Sequence, residues 1–91
     1  MGAVADQLVH KLTGAFAPSH LTVDDDSARH AGHAGAGQGG ESHFNVVIES
    51  AAFEGVSRVQ RQRMVYTAVA EELAGPVHAL SVKALAPGEA R

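Results

Sequence analysis

"SRVQRQRMVYTAVAEELAG", residues 57–75, followed by "PVHALSVKAL", residues 76–85, decides the fold. Val59, Tyr66, Val69 and Leu73 recur at helical spacing along one face. Ser57 stands at the N-cap, where a hydroxyl accepts from an unpaired backbone N–H, and Gly75–Pro76 ends the run. The spacing predicts a helix of roughly five turns. Behind it, His78, Leu80 and Val82 share one parity, while Ala79, Ser81 and Lys83 share the other, which predicts a strand. Ahead of it, "HFNVVIES", residues 43–50, sets Phe44, Val46 and Ile48 on one side and Asn45 and Glu49 on the other. Between strand and helix, "AAFEG" reads as a turn with one apolar anchor, Phe53. A helix of this length is enough to carry the chain across and start the next strand parallel to the last.

Working outward, "AVADQLVHKLTGAF" (residues 3–16) carries Val4, Leu8, Leu12 and Ala15/Phe16 as one apolar stripe, and Pro18 helps to stop that helix. "HLTVDDD" (20–26) alternates Leu21 and Val23 with polar neighbours, a short strand that pairs antiparallel with the next. The element order is α-β-β-α-β. The expected fold is therefore α+β: a three-stranded mixed sheet with both long helices packed on one face. Residues 1–91 form a single domain. Residues 27–42 are expected to be a flexible glycine-rich loop, and residues 86–91, "APGEAR", a frayed tail.

Composition narrows the function. The chain has 45% hydrophobic residues, a net charge of −3, six histidines and no cysteine. Such a hydrophobic share suits a folded domain and not a disordered one. The acidic balance gives no overall attraction to nucleic acid. Without cysteine there is no disulfide and no thiolate for a metal. No apolar run approaches the ~20 residues of a membrane span. The first residues show no charged segment followed by an apolar one, so no secretory leader is expected and the cytoplasm is the expected compartment.

The histidines are the chemistry-bearing residues. His30 and His33 lie three apart in the loop, a spacing that suits a chelating pair of imidazoles but also arises freely in glycine-rich loops. His43 opens a strand and reads as a structural histidine. His78 shares the parity of Leu80 and Val82 and reads, on pattern, as a partly buried core residue. His10 and His20 read as solvated. If the third strand runs parallel to the second, the loop histidines and His78 meet at one end of the sheet. Arg58, Arg61 and Arg63 crowd the first half of the second helix, with Glu71 and Glu72 in the second half. That polarity opposes the helix dipole, so the arginines are a candidate face for a nucleic acid or an acidic partner. Gln62 falls within the apolar stripe, where it needs a hydrogen-bond partner. No catalytic nucleophile or paired carboxylates accompany the histidines, and an enzyme is not expected.

Together "DDSARHAGHAG", "ESHF", "FEG", "QRQRMVYTAVAEEL" and "GPVHAL" resemble the BolA family, in order and over almost the whole chain. The resemblance implies a fold like the class II KH domain, αββαβ, in agreement with the order of elements above. It implies a partner, a monothiol glutaredoxin, and a bridging 2Fe-2S cluster shared with that glutaredoxin and glutathione, in iron–sulfur trafficking or iron regulation. No cofactor is implied for the isolated chain, which is expected as a monomer or weak homodimer. By the same resemblance His78 is the C-terminal cluster ligand and His30 the loop ligand, with His33 as the local competitor. Two imidazoles on one iron, opposite two thiolates on the other, would resemble a Rieske centre. The alternative implied by the resemblance is a DNA-binding regulator of stress and cell shape, with weak contacts through Arg58, Arg61 and Arg63. Where the family commonly reads Arg-His-Arg, this chain reads Arg61–Gln62–Arg63, and the GxxG loop of nucleic-acid-binding KH domains is missing.

Overall fold

The computed structural model describes residues 2–25 and 43–89. Helix α1 spans Ala3–Phe16, strand β1 His20–Asp25 and strand β2 His43–Glu49. A 3-10 turn at Ala51–Phe53 leads to helices α2, Arg58–Ala68, and α3, Ala70–Ala74, and to strand β3, Ala79–Leu85. The strands form one sheet in the order β1-β2-β3. β1 pairs antiparallel with β2, with Leu21 opposite Ile48 and Asp25 opposite Phe44. β2 pairs parallel with β3, with His43 opposite Ala79 and Phe44 opposite Leu80. This is the mixed sheet that the sequence predicts. Residues 27–42, including His30 and His33, lie outside the described residues.

Strand alternation decides which face is covered. Phe44, Val46 and Ile48 are buried together with Ala5, Leu8 and Leu12 of α1, Val65 of α2 and Val69. Burying a Leu or Phe side chain fully contributes about 2–3 kcal/mol, so this layer dominates the stability. On the opposite parity Asn45 and Val47 are half-buried, and Ser81 and Lys83 are exposed. Both helices thus share one face of the sheet. None of the described helices is long and apolar enough to cross a membrane.

α1 ends with Ala17 in the left-handed region, φ 45°, its N–H donating to Thr13 C=O at 3.0 Å. Glycine is the usual residue there because Cβ costs energy at positive φ. Ser50, only 1% exposed, ties this end to the sheet. Its hydroxyl donates to Phe16 C=O at 2.7 Å and accepts from Ala52 N–H at 3.1 Å. Its own N–H donates to Leu85 C=O at 2.9 Å, so one residue joins α1, β2 and β3.

The second helix departs from its sequence reading in three ways. It is interrupted at Val69, where φ is −117° and ψ 30°. Val69 N–H still donates to Val65 C=O and Val69 C=O still accepts from Leu73 N–H, so the chain keeps its direction. A β-branched residue gains little from helical geometry, which makes this a low-cost place for the break. Second, Val59 is not part of the inward face but is 62% exposed. The inward stripe is Arg61, Val65, Val69 and Glu72, spaced four, four and three residues apart. Its two ends are charged and each has a partner. Lys11 of α1 reaches Glu72 at 2.8 Å and Glu71 at 2.6 Å. Arg61 is bound to the C-terminal segment.

Third, that segment is not frayed through Glu89. Arg61 Nε donates to Val56 C=O at 2.8 Å, and its Nη1 to Ala84 C=O at 3.0 Å. Its two Nη groups grip the Glu89 carboxylate at 2.7 and 3.0 Å. Glu89 also accepts from Ala86 N–H at 2.9 Å, and Ala86 is buried. A bidentate guanidinium–carboxylate pair of this kind is strong and directional.

Candidate metal centre

Parallel pairing of β2 and β3 brings together residues far apart in sequence. β1 ends at Asp25 and β2 begins at His43, so both ends of segment 26–42 meet the same edge of the sheet. β3 begins there too, one residue after His78. His78 therefore sits at the mouth of the sheet beside His43. The two ring centres are 6.3 Å apart and their planes are inclined by 35°.

His78 is exposed, which corrects its reading as a partly buried core residue. Its parity matches Leu80 and Val82, but it precedes the ladder and lies beyond the rim of the helix layer. The apolar face begins at Leu80, 8% exposed. Behind it the strand is firmly held. Tyr66 donates its hydroxyl to Leu80 C=O at 2.9 Å, and Gln62 donates its side-chain amide to the Tyr66 hydroxyl at 3.0 Å. Gln62 is exposed rather than part of the stripe, and it has the hydrogen-bond partner that its position called for. Tyr66 thereby caps the outer edge of β3 two residues past His78, where an unpaired carbonyl would otherwise face solvent.

His43 is the site residue that sequence reading passed over. Its approach to His78 depends on strand register, and no local pattern signals it. His10 and His20 lie elsewhere: His10 is exposed on α1, and His20, opposite Glu49 at the far end of the sheet, shares a 3.0 Å hydrogen bond with Thr22 Oγ1. Among the described residues no group of three His, Cys, Asp or Glu side chains could enclose a metal ion. The described donor set at the mouth is thus two imidazoles with an open side. Neutral imidazole nitrogens suit zinc, iron, copper and nickel.

The three arginines do not form one basic face. Arg61 is 8% exposed and committed to Val56, Ala84 and Glu89. Arg58 borders a groove between the start of α2 and the end of β3, near Lys83. Arg63 borders a different groove, with Phe16 and Met64. A phosphate backbone would meet Arg58 and Arg63 on separate surfaces and would not meet Arg61.

A small αββαβ domain with one helix-covered face and paired histidines at the open end of its sheet is the class defined by these features. The chain belongs to the BolA-like protein family, whose pattern matches residues 12–89. It is 42% identical over 91 residues to BolA-like protein 1 of Homo sapiens, across 100% of this chain and 64% of that protein. It spans between 62% and 64% of the length of the mammalian BolA-like protein 1 relatives. The structure of the BolA domain of SufE1 from Arabidopsis thaliana is similar with a TM-score of 0.86 and 40% identity, covering 99% of each chain. The solution structure of BolA1 from Mus musculus gives a TM-score of 0.79 and 44% identity, covering 96% of this chain and 68% of that one.

Proposed function

We propose that this chain is a binding and delivery module: it pairs with a monothiol glutaredoxin and supplies imidazole ligands to a 2Fe-2S cluster bridging the two proteins. The observation that carries this reading is the exposed His78 at a strand mouth that also receives both ends of the segment bearing His30 and His33. A 2Fe-2S cluster needs four protein or thiol ligands. This chain has no cysteine, so thiolates come from the partner side, as family resemblance implies. His78 is the firmly anchored ligand, fixed by β3 and by the Tyr66 bond to Leu80. His30 is the second ligand, with His33 three residues on as its competitor. In this reading the cluster is cargo, held at a surface that a second protein can reach.

The test is to titrate the chain with glutaredoxin, glutathione, iron and sulfide while following visible circular dichroism. Wild type should give the signal of a mixed cluster. His78→Ala should abolish it while leaving the far-ultraviolet spectrum unchanged. His30→Ala should weaken or alter it, and His30→Cys should restore and strengthen it, because thiolate binds iron more tightly than imidazole. A His78→Ala chain that assembles a wild-type cluster would sink the ligand assignment.

A further inference from the structure

We infer that His43 and His78 form a two-imidazole site for a borderline divalent ion of the zinc type, built entirely on the strand ends. The inference rests on the reading above for taking His78 as a ligand, and adds His43, which that reading does not use.

Geometry supports the pair. With zinc–nitrogen bonds of about 2.0–2.1 Å, an ion lies about 3.2 Å from each ligating ring centre. Two rings on one ion then have centres about 5 Å apart at a tetrahedral angle and about 6.4 Å apart when opposite each other. The observed separation of 6.3 Å is within that range or about 1 Å from its tetrahedral end. Side-chain rotation alone closes the difference, because both residues are exposed and neither ring is wedged in the core. The backbones are already fixed: His43 begins the central strand opposite Ala79, and His78 is the residue before Ala79. In an unbroken ladder neighbouring parities would send the two rings to opposite faces of the sheet. His78 precedes the ladder and escapes that rule, and the rings approach across the end of the sheet.

Two protein ligands leave the remaining coordination positions open. Zinc with fewer than four protein ligands completes its shell with water or with an incoming donor. The pair therefore acts as an open docking point, able to hold an ion weakly by itself and to accept further ligands from another molecule. Within the glutaredoxin reading, His43 gives His78 a strand-borne companion that competes with the loop imidazoles for the same metal position.

The experiment uses the full chain carrying His30→Ala and His33→Ala, which removes both loop imidazoles. Zinc chloride is titrated by calorimetry, and the histidine ring resonances are followed by NMR. One zinc should bind, and the His43 and His78 rings should shift together while those of His10 and His20 stay in place. Adding His43→Ala should weaken binding at least tenfold. His43→Asn, which keeps a polar side chain at the start of the strand, should weaken it equally. Zinc affinity within twofold of the parent in both His43 variants overturns the inference, as does a shift of His78 without His43. The glutaredoxin titration of the wild-type chain is read separately. Zinc binding by the pair without cluster assembly defeats the glutaredoxin reading alone. Cluster assembly with no His43-dependent zinc binding defeats the pair alone.

Discussion

The two ends of the sheet are built on opposite plans. At the end where β2 and β3 finish, almost every polar group is tied to another element. Ser50 joins α1, β2 and β3. Ser19 donates its N–H to Glu49 C=O at 2.9 Å and its hydroxyl to the Glu49 carboxylate at 2.7 Å. Arg61 gathers the turn before α2, the end of β3 and Glu89 into one knot. At the other end, where β2 and β3 begin, two histidines stand exposed and side by side. Stability is invested at one end and ligand chemistry is left free at the other. A surface that must accept a metal and a partner protein cannot also be closed by its own hydrogen bonds.

The largest effect expected from breaking this division is at Arg61. Arg61→Ala leaves the Val56 and Ala84 carbonyls and the Glu89 carboxylate without their shared donor, and frees the C-terminal segment. The thermal midpoint should fall on the order of 10 °C, a large shift for a domain of this size. Metal binding at His78 should persist in the fraction that remains folded, because the knot lies at the far end of the strand. The acid dependence follows from the same pair. The hydrogen bonds from Arg61, and then that from Ala86 N–H, hold the Glu89 carboxyl down from 4.5 to about 2. A carboxyl lowered on folding stabilises the native state fully above its unfolded value and loses that contribution as pH falls through the folded one. The stability difference between wild type and Glu89→Gln should therefore be constant above about pH 5 and should shrink between pH 4.5 and 2. Urea unfolding at several pH values measures it, and a gap that stays unchanged down to pH 2 would remove Glu89 from the knot.

The second effect is at Ser50. Ser50→Ala keeps the backbone bond to Leu85 but removes the hydroxyl between Phe16 C=O and Ala52 N–H. Leaving such groups unpaired in a buried position costs about 1–3 kcal/mol. Denaturant titration should show a lower midpoint with an unchanged slope. A loss below about 0.5 kcal/mol, the size of an ordinary surface substitution, would mean that water replaces the hydroxyl and that this end is less closed than it looks.

The closed and open ends differed in how far they could be read from sequence. The sheet was legible because Phe44, Val46 and Ile48 alternate cleanly and because a helical crossover implies parallel pairing. The inward stripe of the second helix was legible only in its middle. Val65 and Val69 are apolar, but Arg61 and Glu72 are charged, and hydropathy assigns such residues to solvent until Glu89 and Lys11 are seen beside them. The tail was misread for the same reason: "APGEAR" has a loop's composition, and nothing local signals that Glu89 reaches Arg61 from 28 residues away. At the open end, His78 carried a family resemblance but the wrong burial, since parity says nothing about where the helix layer stops. His43 carried no signal at all, because only the register of two parallel strands brings it to His78.

The smallest expected effect sharpens the comparison most. His78→Ala and His43→Ala should each change the unfolding free energy by no more than about 0.5 kcal/mol, as for surface positions outside caps, cores and networks. Both residues are exposed, and the core behind them begins at Phe44 and Leu80. The Tyr66 bond to Leu80 C=O does not involve either ring. Each variant should therefore lose its ligand function while keeping wild-type stability, the reverse of Arg61→Ala. Urea midpoints measured without metal decide the matter. A loss of 2 kcal/mol or more in either variant would show that the imidazoles hold the sheet together, and that the end described as open is part of the scaffold.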